Sequence, residues 1–385
     1  MVEKEIKEGK IKITIPEFDK VSSQAPVFYN PAMELNRDLS VLAISTFQKK
    51  LNTPIDICDA FAGSGIRGLR YKAEIDNVER VVVNDINPVA IEFIKKNIEL
   101  NNIDIEISHN DTNMVLRENR GKFDVVDIDP FGTPSFFMDS VGNNLKKDSL
   151  LCVTATDTSA LCGTYKEPCL RKYNAMPLKS EYCHENGIRI LAGFVAITLA
   201  KYKKWIQVLF SHSTEHYMRL YIYVKKAAKE SDRTLREEMG FIAHCKKCLH
   251  RQVYPTLAPA IPEYCPICGE KLSIGGPLWI GKIQNKEFIT GMLNEIPNKK
   301  VNTQVKIEQL LHACYNEADA PITHYEIHQI SKKLGISAPK LLKVLENLEE
   351  EDYTAVRTHF NPLGIKTDAS LKKLEDIILK LSPNK

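Results

Sequence analysis

The chain has 385 residues, 43% of them hydrophobic and 26% charged, with a net charge of +3 and an isoelectric point near 8.2. That composition belongs to a globular protein of more than one domain, and it excludes collagen-like, disordered and membrane-spanning chains because no apolar run approaches the length of a membrane helix. Mild basicity permits a polyanionic partner without demanding one.

The opening stretch (MVEKEIKEGKIKI) lacks the apolar core of a signal peptide, so a cytoplasmic setting is expected. In such a setting the ten cysteines point to metal binding wherever they cluster, rather than to disulfides. From residue 54 onward, strand-like runs at 55–60, 80–84, 104–108, 124–128 and 150–155 alternate with amphipathic patterns such as 66–73 and 88–100. Successive βα units imply an α/β fold with a mainly parallel, doubly wound, Rossmann-like sheet. A helix at 188–203 and strands at 205–212 and 218–225 extend it. The charged stretch KKAAKESDRTLREEMG suggests a boundary near 230. The expected division is 1–230 and 231–385, the second part a smaller α+β unit with a cysteine-bearing segment (240–285) and mostly helical remainder (300–370).

"DICDAFAGSGIRGLR" reads as strand, glycine turn, helix, with Gly63, Gly65 and Gly68 satisfying GxGxxG. The pattern alone is shared by nicotinamide, flavin and methyl-donor enzymes. Asp85, 22 residues after Gly63, ends "RVVVNDIN", where a carboxylate accepts ribose hydroxyls. Asp59 in "DAFAGSG" brings the loop close to the D-x-F-x-G-x-G form of class I methyltransferases. Asp111 in "ISHNDT" stands where that class places an acid against adenine, though a helix N-cap explains it equally well.

The fourth strand delivers Asp129-Pro130-Phe131-Gly132 at its tip. An aryl amine is a poor nucleophile because its lone pair is delocalised into the ring. Two acceptors on its hydrogens, the Asp129 carboxylate and the Pro130 carbonyl, turn that lone pair outward, and Phe131 offers a stacking face for an extruded base. A plain strand exit through a Pro-Gly turn, with Phe131 in the core, is the competing account. An oxidoreductase on the same fold explains the glycine loop and Asp85 but leaves Asp129-Pro130-Phe131 idle. A non-enzymatic nucleic-acid binder explains only the later segments.

Cys245-x2-Cys248 and Cys265-x2-Cys268 lie sixteen residues apart, the spacing of a zinc ribbon whose four thiolates would close the coordination and make the site structural. Cys162, Cys169, Cys183 and His184 lack such spacing and read as ordinary buried thiols. Residues 323–360 resemble a winged helix, with Thr323 capping a helix, Gly335 in the turn, a second helix from Pro339, and "DYTAVRTHF" as the wing; Lys332, Lys333, Lys340 and Arg357 are its candidate phosphate contacts.

Together with "VFYNPAMELNRDLS", "LCGTYKEPCLRKYNAMPLKSEYCHENGIRIL", "GPLWIG" and "RTHFNPLGIKTDAS", these motifs make the chain resemble the tRNA (guanine-26 N2)-dimethyltransferases of archaeal type over nearly its whole length. The resemblance implies methyl transfer from S-adenosylmethionine to the N2 of a guanine in tRNA, once and then again. It implies that Arg37 contacts the cofactor, that Asp85 and Asp111 hold ribose and adenine, that Asp129 is the main catalytic residue, and that Phe28 and Phe131 sandwich the base. Phe131 replaces the second proline common in adenine and cytosine amino-methyltransferases. Expected companions are S-adenosylmethionine, structural Zn2+ and tRNA, with no membrane and no obligate protein partner.

Overall fold

A computed structural model describes residues 3–17 and 27–382. The chain opens with a hairpin, β1 (Glu3–Glu8) and β2 (Ile11–Pro16), followed by helix α1 (Glu34–Leu51). Then come β3 (Ile55–Asp59), α2 (Ile66–Glu74), β4 (Val78–Asn84), α3 (Pro88–Asn101), β5 (Glu106–Ser108), α4 (Thr112–Glu118), β6 (Val125–Ile128), α5 (Met138–Asn144) and β7 (Asp148–Ala155). Helices α6 (Thr158–Leu161), α7 (Lys166–Tyr173) and α8 (Cys183–Ala200) lead to the hairpin β8 (Lys204–Thr214) and β9 (Tyr217–Lys226).

Strands β3 to β9 form one mixed sheet in the order β5-β4-β3-β6-β7-β9-β8. The first five are parallel, and β9 and β8 close the edge antiparallel. Both faces are covered, which is why the strands are apolar without alternation. Val81 and Val83 belong to the core beneath α1, α2 and α3, whereas Val82 belongs to the opposite core beneath α4, α5 and α8. Strand order reverses between β3 and β6, so a crevice opens at their carboxyl ends, the usual ligand position in such sheets. Lone charges in these strands find each other: Asp127 of β6 and Arg219 of β9 are fully buried and joined by two bonds of 2.7 and 2.9 Å.

After α9 (Ala228–Glu237) comes a second, three-stranded sheet of β10 (Met239–His244), β11 (Arg251–Pro255) and β12 (Ser273–Trp279), ordered β11-β10-β12. Next are α10 (Lys286–Glu295), α11 (Gln304–Glu317), β13 (Tyr325–Glu326), α12 (Ile327–Leu334), α13 (Leu341–Glu350), the hairpin β14 (Val356–Thr358) and β15 (Asn361–Lys366), and α14 (Leu371–Leu381). The chain does not leave the first core at 230. Phe288, Ile289 and Met292 of α10 and Ile307 and Leu311 of α11 are buried in the same cluster as Leu35, Leu39 and Leu42 of α1. Helix α10 meets α1 so closely at Gly291 that a Cβ there would lie 2.5 Å from Thr46 Cγ2. Asp38 accepts from both the amide and the hydroxyl of Thr303, at 3.1 and 2.6 Å.

Thr323 does not cap a helix: it has a positive φ of 69° just before β13, and its N–H is spent on Glu185 at 3.0 Å. Gly335 ends α12 in the left-handed conformation, with φ 69°. Among the described residues no helix is long and apolar enough to cross a membrane.

Candidate active site

Four carboxylates arrive at the carboxyl edge of the sheet because each follows or ends a strand: Asp59 ends β3, Asp85 follows β4, Asp111 follows β5 and Asp129 follows β6. The turn after β3 depends on glycine. Gly63 and Gly65 have φ of 54° and 79°, where a side chain is strained. Gly68 lets α2 lie against β4, since a Cβ there would sit 2.1 Å from Val83 Cγ1. Asp85 fastens the loop, accepting from the Gly63 amide at 2.8 Å and the Asn87 amide at 2.9 Å. Asp111 caps α4 by accepting from the Asn113 amide at 2.9 Å, so the N-cap role exists; its other oxygen has no partner among the described residues. Ile86 and Met114, beside these two acids, are exposed apolar side chains.

Asp59 is fully buried; one oxygen accepts from the Gly68 amide at 3.0 Å and the other has no partner among the described residues. Burial, reinforced by the nearby charge of Asp127, pushes its carboxyl up to about 7. Asp127 behaves oppositely. Burial alone would raise it, but Arg219 and Arg67 outweigh burial and hold it below the usual carboxylate range.

Asp129 is paired through Oδ2 with Arg67 Nη2, leaving Oδ1 free of any partner among the described residues. Arg67 in turn donates to Asn36 Oδ1 at 3.0 Å and Ser40 Oγ at 3.2 Å, both on α1. Burial works against the guanidinium charge, yet Asp129 and Asp127 overcome it and keep Arg67 cationic. The loop behind Asp129 is clasped from β7's exit: Thr156 Oγ1 accepts from the Gly132 amide at 2.7 Å, and the Thr156 amide donates to Gly132 O at 2.9 Å. Tyr173 of α7 accepts from Thr133 at 2.8 Å.

Phe131 is exposed and Phe28 half-buried. Their rings meet edge to face, 4.5 Å between centroids and 85° between planes. They therefore leave no parallel slot, and a base sandwich requires one ring to turn. Phe28 is brought here by the glycine loop, because a Cβ on Gly63 would lie 3.0 Å from Phe28 O. Arg37 is buried and largely committed: Nε and Nη2 donate to Glu8 at 2.6 and 2.7 Å, and Nη2 also to Asn30 O at 3.2 Å. Only its Nη1 lacks a partner among the described residues.

Sequence reasoning missed Arg67, Asp127, Arg219 and Thr156. A signal existed for two of them. Asp127 in "VVDI" and Arg219 in "YMRLYIYV" are single charges inside apolar strands, and a buried charge requires a partner.

The family profile described as N2,N2-dimethylguanosine tRNA methyltransferase matches residues 9–379. The chain belongs to that family. It is 62% identical over 380 residues to the tRNA (guanine(26)-N(2))-dimethyltransferase of Methanobrevibacter smithii, covering 98% of each chain. It is 39% identical over 382 residues to the Aquifex aeolicus tRNA (guanine(26)-N(2)/guanine(27)-N(2))-dimethyltransferase, covering 97% of this chain and 96% of that one. The solved structure of Trm1 from Pyrococcus horikoshii in complex with S-adenosyl-L-methionine superposes with a TM-score of 0.87 at 34% identity, covering 99% of this chain and 100% of that one. The sheet order and the crevice are thus those of a methyltransferase.

A second cluster lies in the β10–β12 unit. Cys245, Cys248, Cys265 and Cys268 bring their sulfurs within 4.8 Å of one another, with Cys245–Cys268 at 3.4 Å and Cys248–Cys265 at 3.6 Å. Those separations far exceed a disulfide bond and approach the edge of about 3.8 Å expected around a tetrahedral ion with bonds of about 2.3 Å to sulfur. The two pairs sit in equivalent turns. The Cys245 amide donates to His250 O at 2.8 Å, as the Cys265 amide does to Glu270 O at 2.7 Å. Leu249 and Gly269, each four residues after the first cysteine of its pair, both have positive φ, of 65° and 71°.

Proposed function

We propose that the protein transfers methyl groups from S-adenosylmethionine to the exocyclic N2 of guanine 26 in tRNA, giving N2-methyl- and then N2,N2-dimethylguanosine. The observation that carries this is Asp129-Pro130-Phe131 at the β6 exit, adjoining the glycine loop and held by Arg67. The donor set fits the cofactor: Asp85 and Asp111 for its hydroxyls and adenine, the backbone of Gly63 and Gly65, and Nη1 of Arg37, while buried Asp59 braces the loop from behind through the Gly68 amide. Ile86 and Met114 supply apolar cover for the adenine. When bound, S-adenosylmethionine supplies an electrophilic methyl.

The chain's own task is to present the amine. Asp129 Oδ1 and the Pro130 carbonyl accept the two N2 hydrogens, which frees the nitrogen lone pair. Arg67 holds Asp129 through Oδ2, which leaves Oδ1 as an oriented acceptor, and the proton that N2 sheds on gaining the methyl passes to water. Phe131 gives the base a face, with Phe28 turning to meet it. After one methyl has been added a single hydrogen remains, and a single acceptor suffices.

The cluster of Cys245, Cys248, Cys265 and Cys268 takes a structural Zn2+ in a ribbon. The order α11, β13, α12, α13, β14, β15 supports a winged helix, with β14 and β15 as the wing and Arg357 exposed on it. Lys333 is already engaged by Cys248 O and Glu375, which leaves Lys332, Lys340 and Arg357 for phosphates. The division into 1–230 for methyl donation and 231–385 for tRNA is one of role, built over a shared core. A cytoplasmic location follows from the substrate.

Incubation with labelled S-adenosylmethionine and unmodified tRNA, followed by nucleoside analysis, tests the assignment. Label in N2-methylated guanosine at position 26 is expected. Label in another base, or binding of a nicotinamide dinucleotide in place of S-adenosylmethionine, would overturn it.

A further inference from the structure

Folding separates the four residues Cys162, Cys169, Cys183 and His184 into two groups. Cys169 is fully buried in the core beneath α8. The other three converge: the Cys162 and Cys183 thiols and the His184 imidazole place one ligand atom each within 4.8 Å of one another. Both thiols are half-buried, and the imidazole is exposed. Cys162 caps the end of α6, while Cys183 and His184 are the first two residues of α8. The long stretch of chain between Cys162 and Cys183 hides this arrangement from any spacing rule.

We propose that Cys162, Cys183 and His184 form a second metal site, for a divalent ion of the zinc class, distinct from the four-cysteine cluster. Two thiolates and an imidazole are the soft donor set such ions select. Tetrahedral bonds of about 2.3 Å to sulfur and about 2.0 Å to nitrogen require ligand atoms about 3.5–3.8 Å apart, inside the observed limit. The four-cysteine set meets the same limit in the same chain. The His184 ring has no hydrogen-bond partner among the described residues, so its nitrogens are not already committed. Three protein ligands would leave one position for water.

A third set, Cys314, Glu317 and His359, is a poorer candidate. There the Glu317 carboxylate already contacts the His359 ring nitrogen, a buried hydrogen-bonded contact that needs no metal.

The ion would act as a clamp. Helix α6 has four residues, too few to hold its shape alone. It begins two residues after Thr156, whose two bonds clasp Gly132 behind Asp129. Tying the end of α6 to the start of α8 fixes that segment from its far side.

Metal content per chain, measured by mass spectrometry on zinc-replete full-length protein dialysed against metal-free buffer, tests the site. Two zinc ions per chain are expected, falling to one in Cys162→Ser, Cys183→Ser and His184→Ala. Cys248→Ser should also retain one, which separates the two sites. Cobalt substitution of Cys248→Ser should show thiolate-to-cobalt charge-transfer absorption that disappears when Cys162→Ser is added. His184 is exposed, so His184→Ala is expected to fold even if the cysteine variants do not. One zinc per chain in the wild type, or two that survive both Cys162→Ser and His184→Ala, would overturn the proposal. Retention of two ions in Cys248→Ser would overturn the separation of the sites and sink the zinc-ribbon reading with it.

Discussion

Asp59→Asn tests the electrostatics of the cofactor crevice without any substrate. Asp59 is fully buried, has one unpartnered oxygen, and lies beside Asp127, so its carboxyl is pushed up to about 7 in the folded protein against an ordinary 3.8. A carboxyl raised in this way binds more protons folded than unfolded across that interval. Its contribution to stability is therefore present below about pH 4 and is lost as pH rises toward about 7. The interval spans about 3 pH units at about 1.4 kcal/mol each, so the full loss is about 4 kcal/mol, of which about 3 falls between pH 5 and pH 8. Asparagine keeps the acceptor for the Gly68 amide but does not titrate. Parallel guanidinium unfolding of wild type and Asp59→Asn at pH 5 and pH 8 isolates the effect, because all other titrations cancel in the difference. The variant should gain about 3 kcal/mol on the wild type over that range. A difference constant to within about 0.5 kcal/mol would show that Asp59 is ionised in the folded state and refute the reasoning.

Asp129→Ala should lower single-turnover methyl transfer by orders of magnitude while cofactor affinity, read by calorimetry, stays within a few-fold; Asp85→Ala should do the reverse. Near-normal turnover in Asp129→Ala would remove the amine-holding role. Gly68→Ala forces a methyl to 2.1 Å from Val83 Cγ1 and should cost about 1–3 kcal/mol in thermal unfolding; an unchanged melting temperature would contradict the close contact of α2 with β4. Ending the chain near residue 230 strips Phe288, Ile289, Met292, Ile307 and Leu311 from the core around α1. At about 2 kcal/mol each this is about 10 kcal/mol, comparable to a whole domain's stability, so insoluble or unfolded protein is expected by circular dichroism. A cooperative melt in that fragment would show the shared core to be dispensable.

The sheet was legible because its strands are unbroken apolar runs bounded by polar turns, and the acids could be placed because a parallel strand ends where its ligand binds. Observed β4 begins at Val78, paired with Ile55 across a bulge at Glu79, and β8 begins at Lys204, paired with Lys226, so each starts a residue or two before the expected 80 and 205. The Arg67–Asp129 pair was not legible, since an arginine within a glycine motif reads as a solvated helix face. Phe28 and Phe131 meet edge to face, and a sequence carries no ring angle. Packing of α10 and α11 onto α1 was hidden for a different reason. Their apolar faces are evident, whereas the surface they cover is far off in the chain: the Lys49–Glu295 and Asp38–Thr303 contacts join residues 246 and 265 positions apart.

That long-range packing has a consequence for synthesis. The residues proposed to hold the methyl donor and the amine all precede α5, yet α1, which carries Asn36 and Ser40 to Arg67, is covered only when α10 and α11 exist. Lys299 must reach Glu74 O, at 2.6 Å, and Thr303 must reach Asp38. Contacts this distant in sequence form late, because a long loop must close before they stabilise anything. A nascent chain still on the ribosome with fewer than about 300 residues thus carries every residue of the proposed site before the core around α1 is complete. The proposed site is encoded early and its supporting core late, so an interrupted translation is expected to leave a fragment whose α1 lacks its cover.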